Sequence, residues 1–252
     1  MGVIIAFANQ KGGVAKTTST YNVGVSLARR GCKTLIIDLD SQASLTISAG
    51  LEPFDSEATI VSVLEKEGTP IAECIKQLQD NLYIVTSRLE LATHEIVMIG
   101  RAMREMILKR AIEPIKNQYD YILIDCPPQL SILTINALAC ADYVIIPVKT
   151  DYLAYRGVEL LQDTISEIQS IINPSLKVLG VLATLYEKRV KDDNEILRAL
   201  QDKYNVIGIV KKMAIAKKGI YDGLAVSDQS PKNEVAKEYE KVCDHIVRKG
   251  RI

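Results

Sequence analysis

The chain has 252 residues, 31 Lys and Arg against 31 Asp and Glu, and 48% hydrophobic residues, a composition that suits a globular core. A formal net charge of zero excludes a global field that would draw the whole molecule onto DNA or anionic lipid. No run approaches the ~18 consecutive apolar residues of a membrane-spanning helix, and five scattered cysteines with no C-x-x-C pair argue against a metal cluster held within one chain.

The chain opens directly on an apolar run, Val3–Ala8, with no basic leader or small-residue cleavage site before it, so the N-terminus reads as a first strand of a cytoplasmic protein. Similar short runs rich in β-branched residues follow at Thr34–Ile37, Leu82–Val85, Tyr121–Ile124, Tyr143–Val148, Val178–Ala183 and Val206–Val210. Nearly continuous apolar runs of this length are expected of strands buried on both faces. Amphipathic segments alternate with them: Thr18–Arg30, Arg101–Ile115, Ile132–Cys140, Gly157–Ile172, Asp193–Lys203 and Asn233–Val247. In Gly157–Ile172, for example, Val158, Leu161, Ile165 and Ile168 fall at helical spacing. Strands alternating with helices predict an α/β fold, a doubly wound and mostly parallel β-sheet flanked by helices. With no repeat or linker in view, residues 1–252 read as a single domain.

The segment between the first strand and the first helix, Ala8-Asn9-Gln10-Lys11-Gly12-Gly13-Val14-Ala15-Lys16-Thr17-Thr18, is a glycine-rich turn entering a helix N-terminus. Backbone N–H groups and the helix dipole cradle phosphate in that setting. Gly12, Gly13, Val14 and Ala15 would form the cradle. Lys16 would reach the β- and γ-phosphates, the Thr17 hydroxyl would bind Mg²⁺, and Thr18 would meet the α-phosphate. Gln10 and Ala15 stand where G-x-x-x-x-G-K-[ST] has its glycines, so the loop follows the deviant form K-G-G-x-[GA]-K-[ST]-[ST], with a second lysine, Lys11, at its start. An alanine at position 15 is expected to require a negative φ.

On this loop the chain resembles ParA/Soj-type partition ATPases, within the wider deviant P-loop group that includes MinD. Leu35-Ile36-Ile37-Asp38-Leu39-Asp40-Ser41-Gln42 is similar to the family's D-x-D-P-Q segment, with Ser41 in place of the proline. Tyr121-Ile122-Leu123-Ile124-Asp125-Cys126-Pro127-Pro128 is similar to its D-x-P-P Walker B strand. The resemblance implies an ATPase using ATP and Mg²⁺, slow without a partner. It implies that Lys11 reaches the nucleotide of a second subunit in an ATP-dependent homodimer, that Asp40 orients or activates the attacking water, and that Asp125 holds a Mg²⁺-bound water, with Asp40 a further candidate near the metal. Gly12 would lie where the two loops approach most closely.

The same resemblance implies non-specific DNA binding in the ATP state, hence nucleoid association, and hydrolysis stimulated by a ParB-like centromere-binding protein. Residues 203–218 carry five lysines and no acid, so Lys211, Lys212, Lys217 and Lys218, with Lys188 and Arg189, are the candidate phosphate contacts. The alternative is a MinD-like membrane-cycling ATPase. Its terminal amphipathic helix would be residues 233–252, which lack Phe and Leu and suit packing on the body better than a membrane.

Overall fold

A computed structural model describes residues 2–212 and 223–250. Strand β1 (Val3–Phe7) leads through the glycine-rich loop to α1 (Lys16–Arg29), β2 (Thr34–Asp38), the short helices α2 (Ser44–Ser48) and α3 (Ile60–Leu64), and then β3 (Ile75–Gln79) and β4 (Leu82–Val85). After these come α4 (Leu91–Ile99), α5 (Ile107–Ile112), β5 (Tyr121–Asp125), α6 (Ile132–Cys140), β6 (Tyr143–Lys149) and α7 (Tyr152–Ile171). β7 (Lys177–Tyr186), α8 (Lys191–Lys203), β8 (Val206–Lys211), a short helix Val226–Gln229 and a C-terminal helix Glu234–Gly250 follow.

The eight strands form one sheet in the order β3-β4-β2-β5-β1-β6-β7-β8, parallel except where β3 runs against β4. The doubly wound, mostly parallel architecture is the one the sequence predicts. Successive residues of β1 feed opposite faces. Ile4 and Ala6 join a core with Leu64, Leu108 and Leu161, whereas Ile5 and Phe7 join one with Val23, Leu27 and Val242. Both faces are covered by helices, so the run is apolar without alternation. Gly24 lets α1 lie close on the sheet, since a Cβ there would come within 2.8 Å of Ile36 Cγ2. The N-terminus of α1 thereby meets the C-terminal ends of β1, β2 and β5, the edge of an open parallel sheet where ligands bind.

Two departures from the sequence reading have physical causes. β3 is a polar edge strand, Ile-Lys-Gln-Leu-Gln, whose antiparallel pairing with β4 needs no apolar run. The single helix expected over 101–115 is broken: Met103 takes φ 55° and a 3₁₀ turn, Arg104–Met106, precedes α5. Asn136 of α6 stabilises the break, donating to Arg104 O at 2.8 Å and accepting from Leu108 N at 3.0 Å. Accordingly Met98 is core while Met103 is exposed.

Candidate nucleotide-binding site

The loop after β1 is held from neighbouring strands. Asn9 Nδ2 donates to Pro147 O at 2.6 Å and Asn9 Oδ1 accepts from Lys11 N at 3.0 Å, while Thr184 Oγ1 donates to Val14 O at 2.9 Å. Gly13 and Ala15 both take the left-handed conformation, at φ 70° and 60°. The expectation of a negative φ at Ala15 is therefore overturned. The chain must reverse into α1 at this residue, and the Ala15 carbonyl already accepts Ser19 N at 3.0 Å as the first helical bond. Alanine bears the geometry with the smallest side chain available after glycine, at about 1–2 kcal/mol. Val14 turns its side chain into the core, leaving only its backbone to the loop.

Lys16 opens α1 and is buried, its Nζ donating to Lys11 O at 3.1 Å across the loop. Burial lowers its pKa, and the charges of Asp125 and Asp40 pull against that. Thr17 Oγ1 donates to Asp125 Oδ2 at 2.6 Å, and Thr20 Oγ1 to Asp125 Oδ1 at 3.3 Å. Asp125 ends β5 without solvent exposure. Burial, reinforced by the neighbouring Asp38, pushes its carboxyl well above the usual range, against the pull of Thr17 and Lys16. Asp38, equally buried at the end of β2, is pushed up by burial to about 6. A buried carboxyl, that of Asp125, on a threonine hydroxyl, with the Asp38 carboxyl on the neighbouring strand, favours a cation. Mg²⁺ in phosphate sites takes one or two protein ligands and completes its shell with water and phosphate oxygens, and Thr17 with Asp125 could supply such a donor set.

Asp40 stands beyond β2 with its Oδ1 accepting from Gln42 N at 3.0 Å. A cleft of about 470 Å³ is bounded by Gly12, Gly13, Ala15, Lys16, Thr17 and Thr18, by Asp40, by Ser44, Ile47 and Ser48 of α2, and by Pro128. Sequence reasoning missed the α2 wall, because five residues give no helical period to detect. Lys11 is not among the residues lining this cleft. Its Nζ pairs with Asp151 Oδ1 at 2.9 Å, and Asp151 also receives Lys149 at 3.1 Å and caps α7 through Ala154 N at 2.8 Å. Burial works against ionisation of Asp151, but the Ala154 amide and the two lysines together hold its carboxyl below the usual range.

The predicted DNA contacts are not one free basic stripe. Lys211 pairs with Glu234 and Lys212 with Glu187, acids that lie outside 203–218 in sequence and are brought beside it by the fold. Lys188 and Arg189 are exposed on the turn between β7 and α8, with no ion pair among the described residues. Asn194 Nδ2 braces that turn through Lys188 O at 2.9 Å and Val190 O at 2.6 Å. Lys217 and Lys218 lie outside the described residues.

A parallel sheet with a lysine-bearing loop at its carboxyl edge, a threonine–aspartate pair beneath it and a second lysine at the loop's start defines a deviant P-loop protein. A family model described as an AAA domain matches residues 2–178. Soj of Bacillus subtilis, a sporulation initiation inhibitor protein, is 34% identical over 254 residues, covering 99% of this chain and 100% of the relative. An uncharacterized Mycobacterium tuberculosis protein, Rv1708, is 38% identical over 202 residues, covering 80% of this chain; the match spans only 64% of that relative's length. Among solved structures, a Mycobacterium smegmatis protein described as cobyrinic acid a,c-diamide synthase, with bound ADP and magnesium, superposes with a TM-score of 0.87 at 33% identity, covering 100% of this chain and 96% of the other. The chain belongs to the AAA domain family and, within it, to the Soj/ParA group of partition ATPases.

No helix among the described residues is long and apolar enough to cross a membrane.

Proposed function

We propose that this chain is a single-domain Mg-ATP-dependent partition ATPase. It dimerises on binding ATP, holds DNA without sequence preference in that state, and hydrolyses ATP slowly until a ParB-like partner stimulates it. The observation that carries the reading is the division between two lysines of one loop: Lys16 lines the cleft, whereas Lys11 is held outside it on Asp151. A lysine so placed serves no phosphate in its own cleft and can reach a second subunit by leaving Asp151. Gly12 supports close approach of two loops, because within one chain an added Cβ would meet only Pro128 Cβ, at 3.8 Å.

In this reading the amides at the start of α1 and Lys16 bind the phosphate tail, and Thr17 with Asp125 holds Mg²⁺. The metal, when bound, neutralises charge on the β- and γ-phosphates. Asp40, at the cleft edge, orients the attacking water. Lys11 from the partner subunit stabilises charge developing on the transferred group, as an arginine finger does. Lys188 and Arg189 are the better candidates for DNA phosphates, since Lys211 and Lys212 already have acidic partners.

A membrane-cycling role is less well supported. The apolar face of the C-terminal helix, with Val235, Tyr239, Val242 and Ile246, is buried against the body. Lys16→Ala is expected to abolish ATP binding, whereas Asp40→Ala binds ATP and accumulates as a dimer in sedimentation. An Asp40→Ala protein that binds nucleotide yet stays monomeric would refute the dimer mechanism. ATP turnover that requires an organic acid and an amide-nitrogen donor would redirect the assignment to the amide-synthase chemistry in the Mycobacterium smegmatis protein's name.

A further inference from the structure

Asp40 is presented to the cleft by a short turn, and a second carboxylate holds that turn. Asp38, the last residue of β2, is fully buried. Its Oδ1 accepts from Asp40 N at 3.2 Å, and its Oδ2 accepts from both Thr46 N and Thr46 Oγ1 at 2.8 Å. Thr46 lies in α2, so one side chain grips the turn at both ends. Between the grips, Ala43 N donates to Asp40 O at 2.9 Å and Ala43 itself takes φ 51°. The Thr46 hydroxyl, having donated to Asp38, accepts from Ser87 N at 3.0 Å and so fastens the assembly to the segment following β4. Asp38 does not line the cleft; Asp40 does.

We infer that Asp38 is a positioning residue, a clasp that fixes Asp40 at the cleft through the Asp40 amide and Thr46, with the Thr46 hydroxyl as its anchor to the rest of the sheet. What Asp40 then does rests on the ATPase reading above; the clasp belongs to the nucleotide-free chain. The residue types suit the task. A carboxylate accepts on both oxygens, and such charge-assisted bonds are short and strong away from water. Asparagine at 38 would turn an NH₂ group toward an N–H or O–H donor and release one end of the turn. A threonine hydroxyl can donate and accept at once, and valine of similar shape can do neither. Displacing a catalytic group by about 1 Å is enough for a roughly 100-fold loss of rate.

The test compares Thr46→Val, Thr46→Ser and Asp38→Asn in the full chain. Amide hydrogen exchange over residues 39–47 is read without nucleotide; turnover and affinity for a nonhydrolysable ATP analogue are read separately. Thr46→Val is expected to speed exchange by about tenfold or more and to lower kcat by about 10- to 100-fold, with analogue affinity within about threefold of the parent. Thr46→Ser, which keeps the hydroxyl, is expected to restore both. Asp38→Asn should follow Thr46→Val if it folds, and Thr46→Val decides the matter if it does not. Thr46→Val with parental exchange overturns the clasp whatever turnover shows, and an affinity loss as large as the rate loss overturns the positioning role. A parent that does not hydrolyse ATP, together with accelerated exchange in Thr46→Val, removes the ATPase reading while supporting the clasp.

Discussion

The Lys11–Asp151 pair makes a quantitative prediction about assembly. If Lys11 serves the partner's nucleotide, it must leave Asp151, and the dimer constant carries the cost of that departure twice. Asp151→Asn isolates this term. Asparagine caps a helix as well as aspartate does, so the bond to Ala154 N that starts α7 survives while the charge facing Lys11 and Lys149 is lost. Both partners are about one-third exposed, at 34% and 31%, so the pair is screened and belongs with surface ion pairs. Such a pair is worth about 0.5–1 kcal/mol, or a factor of about 2–5 in an equilibrium constant. Two copies per dimer make that about 5- to 30-fold. In an Asp40→Ala background, which removes turnover, sedimentation equilibrium in Mg-ATP is expected to show Asp151→Asn dimerising tighter by that factor, with little change in melting temperature. An unchanged or weaker dimer would show that Lys11 need not leave Asp151.

Ala15→Gly relieves a left-handed alanine and is expected to stabilise the chain by about 0.5–1 kcal/mol, after the greater chain entropy of glycine when unfolded is subtracted; thermal melting checks it. The buried carboxyls give a pH signature. Asp38 rises from 3.8 to about 6 on folding and Asp125 is raised as well, so their contribution to stability is complete below about pH 4 and is lost as pH climbs through 6 and beyond. The nucleotide-free chain should therefore lose melting temperature across that window less steeply when Asp125 is replaced by Asn, and Mg-ATP should flatten the slope. In DNA binding, Lys188→Ala and Arg189→Ala are each expected to reduce the salt slope by about one. Lys211→Ala and Lys212→Ala should do less, because Glu234 and Glu187 already neutralise those lysines.

Seven of the eight described strands were legible because their apolar runs lie inside a sheet covered on both faces, as in Val3–Phe7; the polar edge strand β3 has no such run. The phosphate loop was legible for a different reason: Lys16, Thr17 and the glycines are constrained by phosphate chemistry rather than by packing. What stayed hidden depends on residues far apart in sequence. Nothing near Lys11 announces Asp151, 140 positions on, and nothing in the 203–218 lysine run announces Glu187 or Glu234. α2 was hidden by its brevity, and the partnership of Asp38 with Thr46 by the fact that the two meet only once the turn between them has formed. The left-handed φ at Ala15 has a long-range cause too. Alanine's own propensity favours a negative φ, and tertiary anchoring of the loop through Asn9 and Thr184 overrides it.

The internal partners of the two loop lysines also suggest how one site can tell a triphosphate from a diphosphate. Lys16 donates to a neutral carbonyl, that of Lys11, and the charges of Asp125 and Asp40 act on it without a direct ion pair among the described residues, so a phosphate tail can take it over without breaking one. Lys11 rests on a full negative charge, which Lys149 shares. To draw it away, the incoming group must offer more negative charge than a carboxylate one-third exposed does, at a distance short enough to escape screening. In the dimer proposed above, a γ-phosphate on the partner subunit would meet that demand; a diphosphate does not carry the group. Lys16 would then report that nucleotide is present and Lys11 that it is ATP, so that assembly follows the triphosphate and reverses when Asp151 recovers its lysine after hydrolysis.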